Sequence, residues 1–156
     1  MEQKEYMQKC IDRAKDTSSK NLGGPFGACV VKNGEIISLS SNSVLQDKDP
    51  TAHAEINAIR GACKKLNTYD LADCELYTTA YPCPMCLSAI IWANIKTVYY
   101  GCTAKDANDI GFRDDFIYDF IKNDCKEKKT AVLNQLDRED CLKLFEEYVK
   151  NNKTIY

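Results

Sequence analysis

One pairing constrains this chain more than any other. Its single histidine, His53, stands thirty residues before a proline-framed cysteine pair, Pro82-Cys83-Pro84-Met85-Cys86. Glu55 follows the histidine by two positions. Each group lies where an extended segment gives way to a helix, so a fold that unites them must set two helix starts side by side. The surrounding pattern allows this. Residues 26–31 and 35–39 are β-prone runs joined by Asn33-Gly34, a dipeptide suited to the positive φ angles of a tight hairpin. Asp49-Pro50-Thr51 reads as the opening of a helix with Ile56, Ile59, Cys63 and Leu66 on one face. Residues 74–79 form a strand, 85–93 an apolar helix and 97–101 another strand, an order that requires parallel pairing through a right-handed crossover.

The flanks complete the pattern. Met7, Cys10, Ile11 and Ala14 mark an amphipathic helix ending before Thr17-Ser18-Ser19. Residues 112–121 look helical, and Asp137 is placed to cap a last helix carrying Cys141, Leu144, Phe145 and Tyr148. The expectation is α/β: a three-layer α/β/α sandwich with a central mixed sheet of about five strands. Leu87, Ala89, Ile90, Ile91 and Trp92 predict a well-buried helix. No repeat or linker-like run divides residues 1–156, so a single domain is expected.

Composition excludes some function classes. With 21 basic and 23 acidic residues, net charge −2, the chain lacks the basic surface that a general nucleic-acid binder needs. No stretch approaches the ~20 apolar residues of a membrane span. The charged opening Met1-Glu2-Gln3-Lys4-Glu5 does not read as a secretory signal, and nine cysteines, an odd count, suit reduced thiols. A cytoplasmic location is expected, with most of the other seven cysteines buried as small apolar residues.

The chemistry sits in the motif pair. Cys83 and Cys86, three apart, share one face of a first helical turn, where the helix dipole favours thiolate. One imidazole and two thiolates leave the fourth tetrahedral position of Zn²⁺ open, the arrangement of a catalytic site with one zinc per chain. Zinc brings the pKa of a bound water to about 7. Glu55 is placed to carry that water's proton without binding the metal. A Cys-x-x-Cys is also the pattern of a redox pair, or of half a structural zinc site completed by Cys74 or Cys102. The absence of a second Cys-x-x-Cys weighs against the structural site, and His53 with Glu55 beside it favours the catalytic one.

His53-x-Glu55 with Pro82-Cys83-x-x-Cys86 resembles the signature of zinc-dependent cytidine-deaminase-like enzymes. Further segments are similar to the small bacterial-type guanine deaminases. They are Gly23-Gly24-Pro25-Phe26-Gly27-Ala28, Asp49-Pro50-Thr51-Ala52-His53-Ala54-Glu55, Ala58-Ile59-Arg60, Gly111-Phe112-x-Asp114-x-Phe116-Ile117-Tyr118 and the final Tyr156. The resemblance implies hydrolysis of guanine at C2 to xanthine and ammonia. It assigns zinc to His53, Cys83 and Cys86, and proton transfer to Glu55 with Asp114 assisting or binding the substrate edge. Asn42, Phe26, Ala54, Trp92 and Tyr156 become substrate contacts. It also implies a homodimer exchanging C-terminal segments, with Tyr156 closing the partner's pocket.

Tyr81 departs from this pattern, because related sequences carry Glu before the Pro-Cys pair. A guanosine deaminase with room for ribose is therefore the main alternative. A tRNA adenosine deaminase is weakened by the acidic balance. A zinc-stabilised binding module would have no use for Glu55.

Overall fold

The turn at Asn33-Gly34 organises one half of the sheet. Both residues take positive φ, 50° and 78°, as a two-residue hairpin requires. In the computed structural model, which describes residues 2–156, they join β1 (Gly27–Lys32) to β2 (Glu35–Ser41). A register shift between Val30 and Val31 interrupts that ladder. On its other edge β1 pairs antiparallel with β3 (Glu75–Ala80). A crossover through α4 (Pro84–Trp92) then lays β4 (Thr97–Cys102) parallel to β3. The result is a mixed sheet in the order β2-β1-β3-β4.

Strand alternation splits the core between the two faces. On one face α1 (Gln3–Ser19) packs Tyr6 and Cys10 against Cys29, Val31 and Tyr77. The Tyr77 ring there stacks on Tyr99 at 4.8 Å. On the other face α3 (Ala54–Leu66) sets Ala54, Ala58 and Ala62 against Ala28, Val30 and Leu76, beside Ile90 of α4. Small residues spaced by four along α3 bring its backbone close to the sheet, and that places its first turn near β3. The architecture is the expected α/β sandwich with a central mixed sheet, built here of four strands.

Gly27 marks the closest approach of helix and sheet. A Cβ there would lie 2.1 Å from the carbonyl oxygen of Cys10. Gly27→Ala should therefore cost about 1–3 kcal/mol as α1 is forced off β1, read as a lower urea midpoint with an unchanged m-value.

Several boundaries differ from the sequence reading. α1 continues through Thr17, Ser18 and Ser19, because the Thr17 hydroxyl bonds back to Arg13 O and also meets Ser41 Oγ. α3 starts at Ala54 rather than at Asp49-Pro50-Thr51. The Asp49 carboxylate accepts from Thr51 N and Oγ1, closing its own turn, and the backbone stays extended at His53. Two short helices lie outside that reading: α2 (Val44–Asp47), and α5 (Ala104–Asp109), which is nucleated by a Thr103–Asp106 capping box. The structure also overturns the expected burial of α4: Ile91 and Trp92 are 65% and 71% exposed. Of the seven remaining cysteines only Cys10, Cys29 and Cys74 are buried, and Cys102 and Cys141 are exposed.

The chain divides into two compact units, Met1–Tyr118 and Asp119–Tyr156, with the division inside α6 (Asp115–Lys122). The second unit holds α7 (Arg138–Lys150), with Asp137 at its N-cap but no side-chain cap bond, and residues 131–137 form no strand or helix. No residue of this unit is buried, and Leu144, Phe145 and Val149 are each at least 65% exposed. Among the described residues no helix is long and apolar enough to cross a membrane.

Candidate metal centre and cavity

Two helix starts converge, as the motif spacing required. His53 is the N-cap of α3 and Cys83 the N-cap of α4, each extended just before its helix begins. Pro84 pre-sets the first helical φ of α4, and Cys86 N approaches Cys83 Sγ at 3.5 Å. His53 Nδ1 lies 3.5 Å from both Cys83 Sγ and Cys86 Sγ. All three ligating atoms fall within 4.8 Å of one another. A tetrahedral zinc with Zn–N of about 2.0 Å and Zn–S of about 2.3 Å would space nitrogen and sulfur by about 3.5 Å. The donor set therefore fits one such ion, and the positive ends of both helices favour the thiolates it requires.

The electrostatics agree. The Cys83 thiol is drawn down to about 4, first by a hydrogen bond from Cys86, with further support from His53 and Cys86 N. That bond and burial push Cys86 up, so Cys86 keeps the proton of the pair. His53 is raised because its bond to Cys83 outweighs burial. Glu55, in the first turn of α3 and 6% exposed, is raised by burial, against hydrogen bonds from Cys86 and Thr78. Asp114 is raised by burial and by the negative charge of Cys83.

A cavity of about 320 Å³ opens beside this cluster, at the small end of ligand pockets. Phe26, Asn42, His53, Glu55, Cys83 and Asp114 all line it. Asn42 is nearly buried, and its Oδ1 accepts from Gly24 N at 3.3 Å and Val44 N at 3.1 Å. Its Nδ2 is thus left to donate into the cavity. Asn42→Asp keeps both backbone bonds but loses the donor. It should lower kcat/KM by roughly 10–100-fold, in line with an unpaired buried polar contact, at unchanged melting temperature, as steady-state kinetics and thermal unfolding will show.

The other sequence-selected residues lie elsewhere. Ala54 is fully buried at the start of α3 and does not line the cavity. Trp92 is exposed at the far end of α4 and does not line the cavity. Tyr156 belongs to the second unit and is exposed. Phe112 and Arg113 escaped the sequence reading of the site, whereas Tyr81 was singled out there as a departure. Phe112 meets Phe26 edge-on at 5.0 Å, Arg113 also lines the cavity, and Tyr81, another lining residue, sits edge-on to Tyr100 at 5.0 Å. Phe112 had a signal, since it stands between Gly111 and Asp114 in a motif already singled out.

Comparison with known proteins supplies a context for this geometry. A family model described as the cytidine and deoxycytidylate deaminase zinc-binding region matches residues 1–102. A guanine deaminase of Bacillus subtilis is 46% identical over 128 residues, 82% of each chain. A tRNA-specific adenosine deaminase of Aquifex aeolicus is 46% identical over 102 residues, 65% of this chain and 68% of the relative. The X-ray structure of guanine deaminase from Bacillus subtilis superposes with a TM-score of 0.90 at 41% identity, covering 100% of this chain and 99% of that one. A guanine deaminase structure from Nitrosomonas europaea covers 72% of this chain and 65% of its own, with a TM-score of 0.69 at 32% identity.

Proposed function

This chain belongs to the cytidine and deoxycytidylate deaminase zinc-binding family, and from that premise we propose that it hydrolyses guanine at C2 to xanthine and ammonia. It is an aminohydrolase of the guanine-deaminase type acting on a purine base. The observation that carries the guanine reading is the whole-chain match, TM-score 0.90, to a guanine deaminase. A tRNA-specific adenosine deaminase that aligns over as much of this chain is less identical to it, 36% against 46%.

Zinc held by His53, Cys83 and Cys86 would supply an acidified water at its open position. Glu55 takes one proton from the attacking water and gives it to a ring nitrogen, then takes the second from the new C2 hydroxyl and gives it to the amine, which leaves as ammonia. Its burial suits this work, because a raised pKa narrows the gap between its two protonation states near neutral pH. Asn42 Nδ2 donates to an acceptor on the purine edge. Phe26, with Phe112 set against it, walls the ring, and Asp114 faces the amine being released.

The chain acts as a homodimer in which C-terminal segments are exchanged and Tyr156 closes the partner's cavity. Support comes from apolar surface that the described residues leave uncovered. Ile91 and Trp92 on α4, and Leu144, Phe145 and Val149 on α7, are the kind of surface a second copy buries. Trp92 reaches substrate only in such an assembly.

The test is an ammonia-release panel with zinc-loaded enzyme on guanine, guanosine, cytosine, adenosine and an anticodon stem-loop RNA. Guanine should give the highest kcat/KM, with xanthine equal to ammonia. Guanosine turned over in preference would replace the base reading with the nucleoside one.

A further inference from the structure

Glu55 must hold its carboxylate in one place while gaining and losing a proton. Its carboxylate accepts a hydrogen bond from a threonine on β3. Thr78 lies in the middle of β3, paired with Ala28 on one side and Tyr100 on the other, and its side chain is fully buried. A completely buried hydroxyl on a core strand needs a partner to offset its desolvation. Thr78 Oγ1 has two: Glu55 Oε1 at 3.0 Å and Ala80 O at 3.2 Å.

We propose that Thr78 is a positioning residue for catalysis, its hydroxyl fixing the orientation of the Glu55 carboxylate toward the cavity. This rests on the deaminase reading above and adds a member to the site. Two side chains can donate to Glu55 in the metal-free chain, the Cys86 thiol, whose single proton also serves Cys83, and the Thr78 hydroxyl. A sulfur that binds a cation carries no proton to donate, so metal loading removes the first. Thr78 remains. Its chemistry suits both forms of Glu55: the hydroxyl proton points at the carboxylate, or turns to Ala80 O while the oxygen accepts from the protonated acid. The support is rigid, because the two ladder partners of Thr78 fix the strand on both sides. Thr79, next along the strand, faces the other way and accepts from Gly27 N, so the two threonines are not interchangeable.

The experiment compares Thr78→Val, which keeps the shape and removes the hydroxyl, with Thr78→Ser, which keeps the hydroxyl. Thr78→Val should lower kcat on guanine by on the order of 10–100-fold, the usual cost of losing a supporting hydrogen bond to a working group. KM should stay within about twofold, and zinc content and melting temperature should match the parent. Thr78→Ser should recover most of kcat. Crystal structures of the zinc-loaded variants should show the Glu55 carboxylate turned from its place in Thr78→Val and unmoved in Thr78→Ser. Parental kcat in Thr78→Val overturns the proposal, as does equal impairment in Thr78→Ser, which would mark a packing role. A parent that releases no ammonia from guanine strikes the deaminase reading instead, and the position of Glu55 in the Thr78→Val crystal still decides whether Thr78 holds it.

Discussion

Glu55→Gln removes ammonia release by about 10²–10⁴-fold, the contribution of a positioned proton carrier, while one zinc per chain stays bound. The amide keeps the size of the side chain and its bond to Thr78, so the cavity keeps its shape. What disappears is the only buried acid among the described residues, one that lines the cavity beside His53 and Cys83. Stability moves the other way. Burial raises the pKa of Glu55, so its protonated form favours the fold, and that stability is lost as pH rises through the raised value. Gln cannot ionise. In the metal-free state the variant should therefore unfold at a higher temperature than the parent at pH 8, with the difference closing toward pH 4. Thermal melts across pH in the presence of chelator measure this. Zinc retained with activity lost separates a proton carrier from a ligand, and a variant with parental turnover would end the assignment.

Cys86→Ser should weaken zinc binding by on the order of 10³-fold, since one of three ligands goes from a site class worth about 10–16 kcal/mol. Cys86 is fully buried in the first turn of α4, so no other thiol can swing in to replace it. Activity should fall to background, and metal analysis after dialysis should find the variant empty. In the parent, loading is linked to pH with a definite sign. His53 and Cys86 are both raised, so both tend to hold protons that the metal must displace. Binding therefore releases protons and tightens as pH rises. Calorimetry in two buffers of different ionisation enthalpy reads the release directly. Proton uptake, or affinity independent of pH, would contradict the ligand set.

Much of this was legible in the residues, for reasons that differ by element. The β1–β2 hairpin could be read because Asn33-Gly34 is one of few dipeptides that tolerate two positive φ angles in succession. The metal cluster could be read because residue type and spacing leave little else for the lone histidine to do. The start of α3 was misplaced because an aspartate that closes its own turn looks, in sequence, like one that caps a helix. α5 was missed because six polar-rich residues show no periodicity, and what holds it is a capping box and a Lys105–Asp109 ion pair. The burial of α4 failed for a deeper reason. An apolar helix face signals that something covers it, without saying whether the cover is the same chain, and Ile91 and Trp92 are left bare. Thr78 gave no signal at all, since a threonine in a strand is ordinary until its burial and its partner are known.

The ligands of one metal ion begin two helices on different halves of the fold, one after the hairpin and one inside the crossover. Neither half carries more than two of the three donors. A chain with only the crossover formed offers a bare thiol pair, and one with only α3 docked offers a lone imidazole. Full coordination therefore arises late, once both halves share the sheet. The visible absorption of a cobalt-substituted sample would serve as a clock for that docking step during refolding, independent of any enzymatic readout.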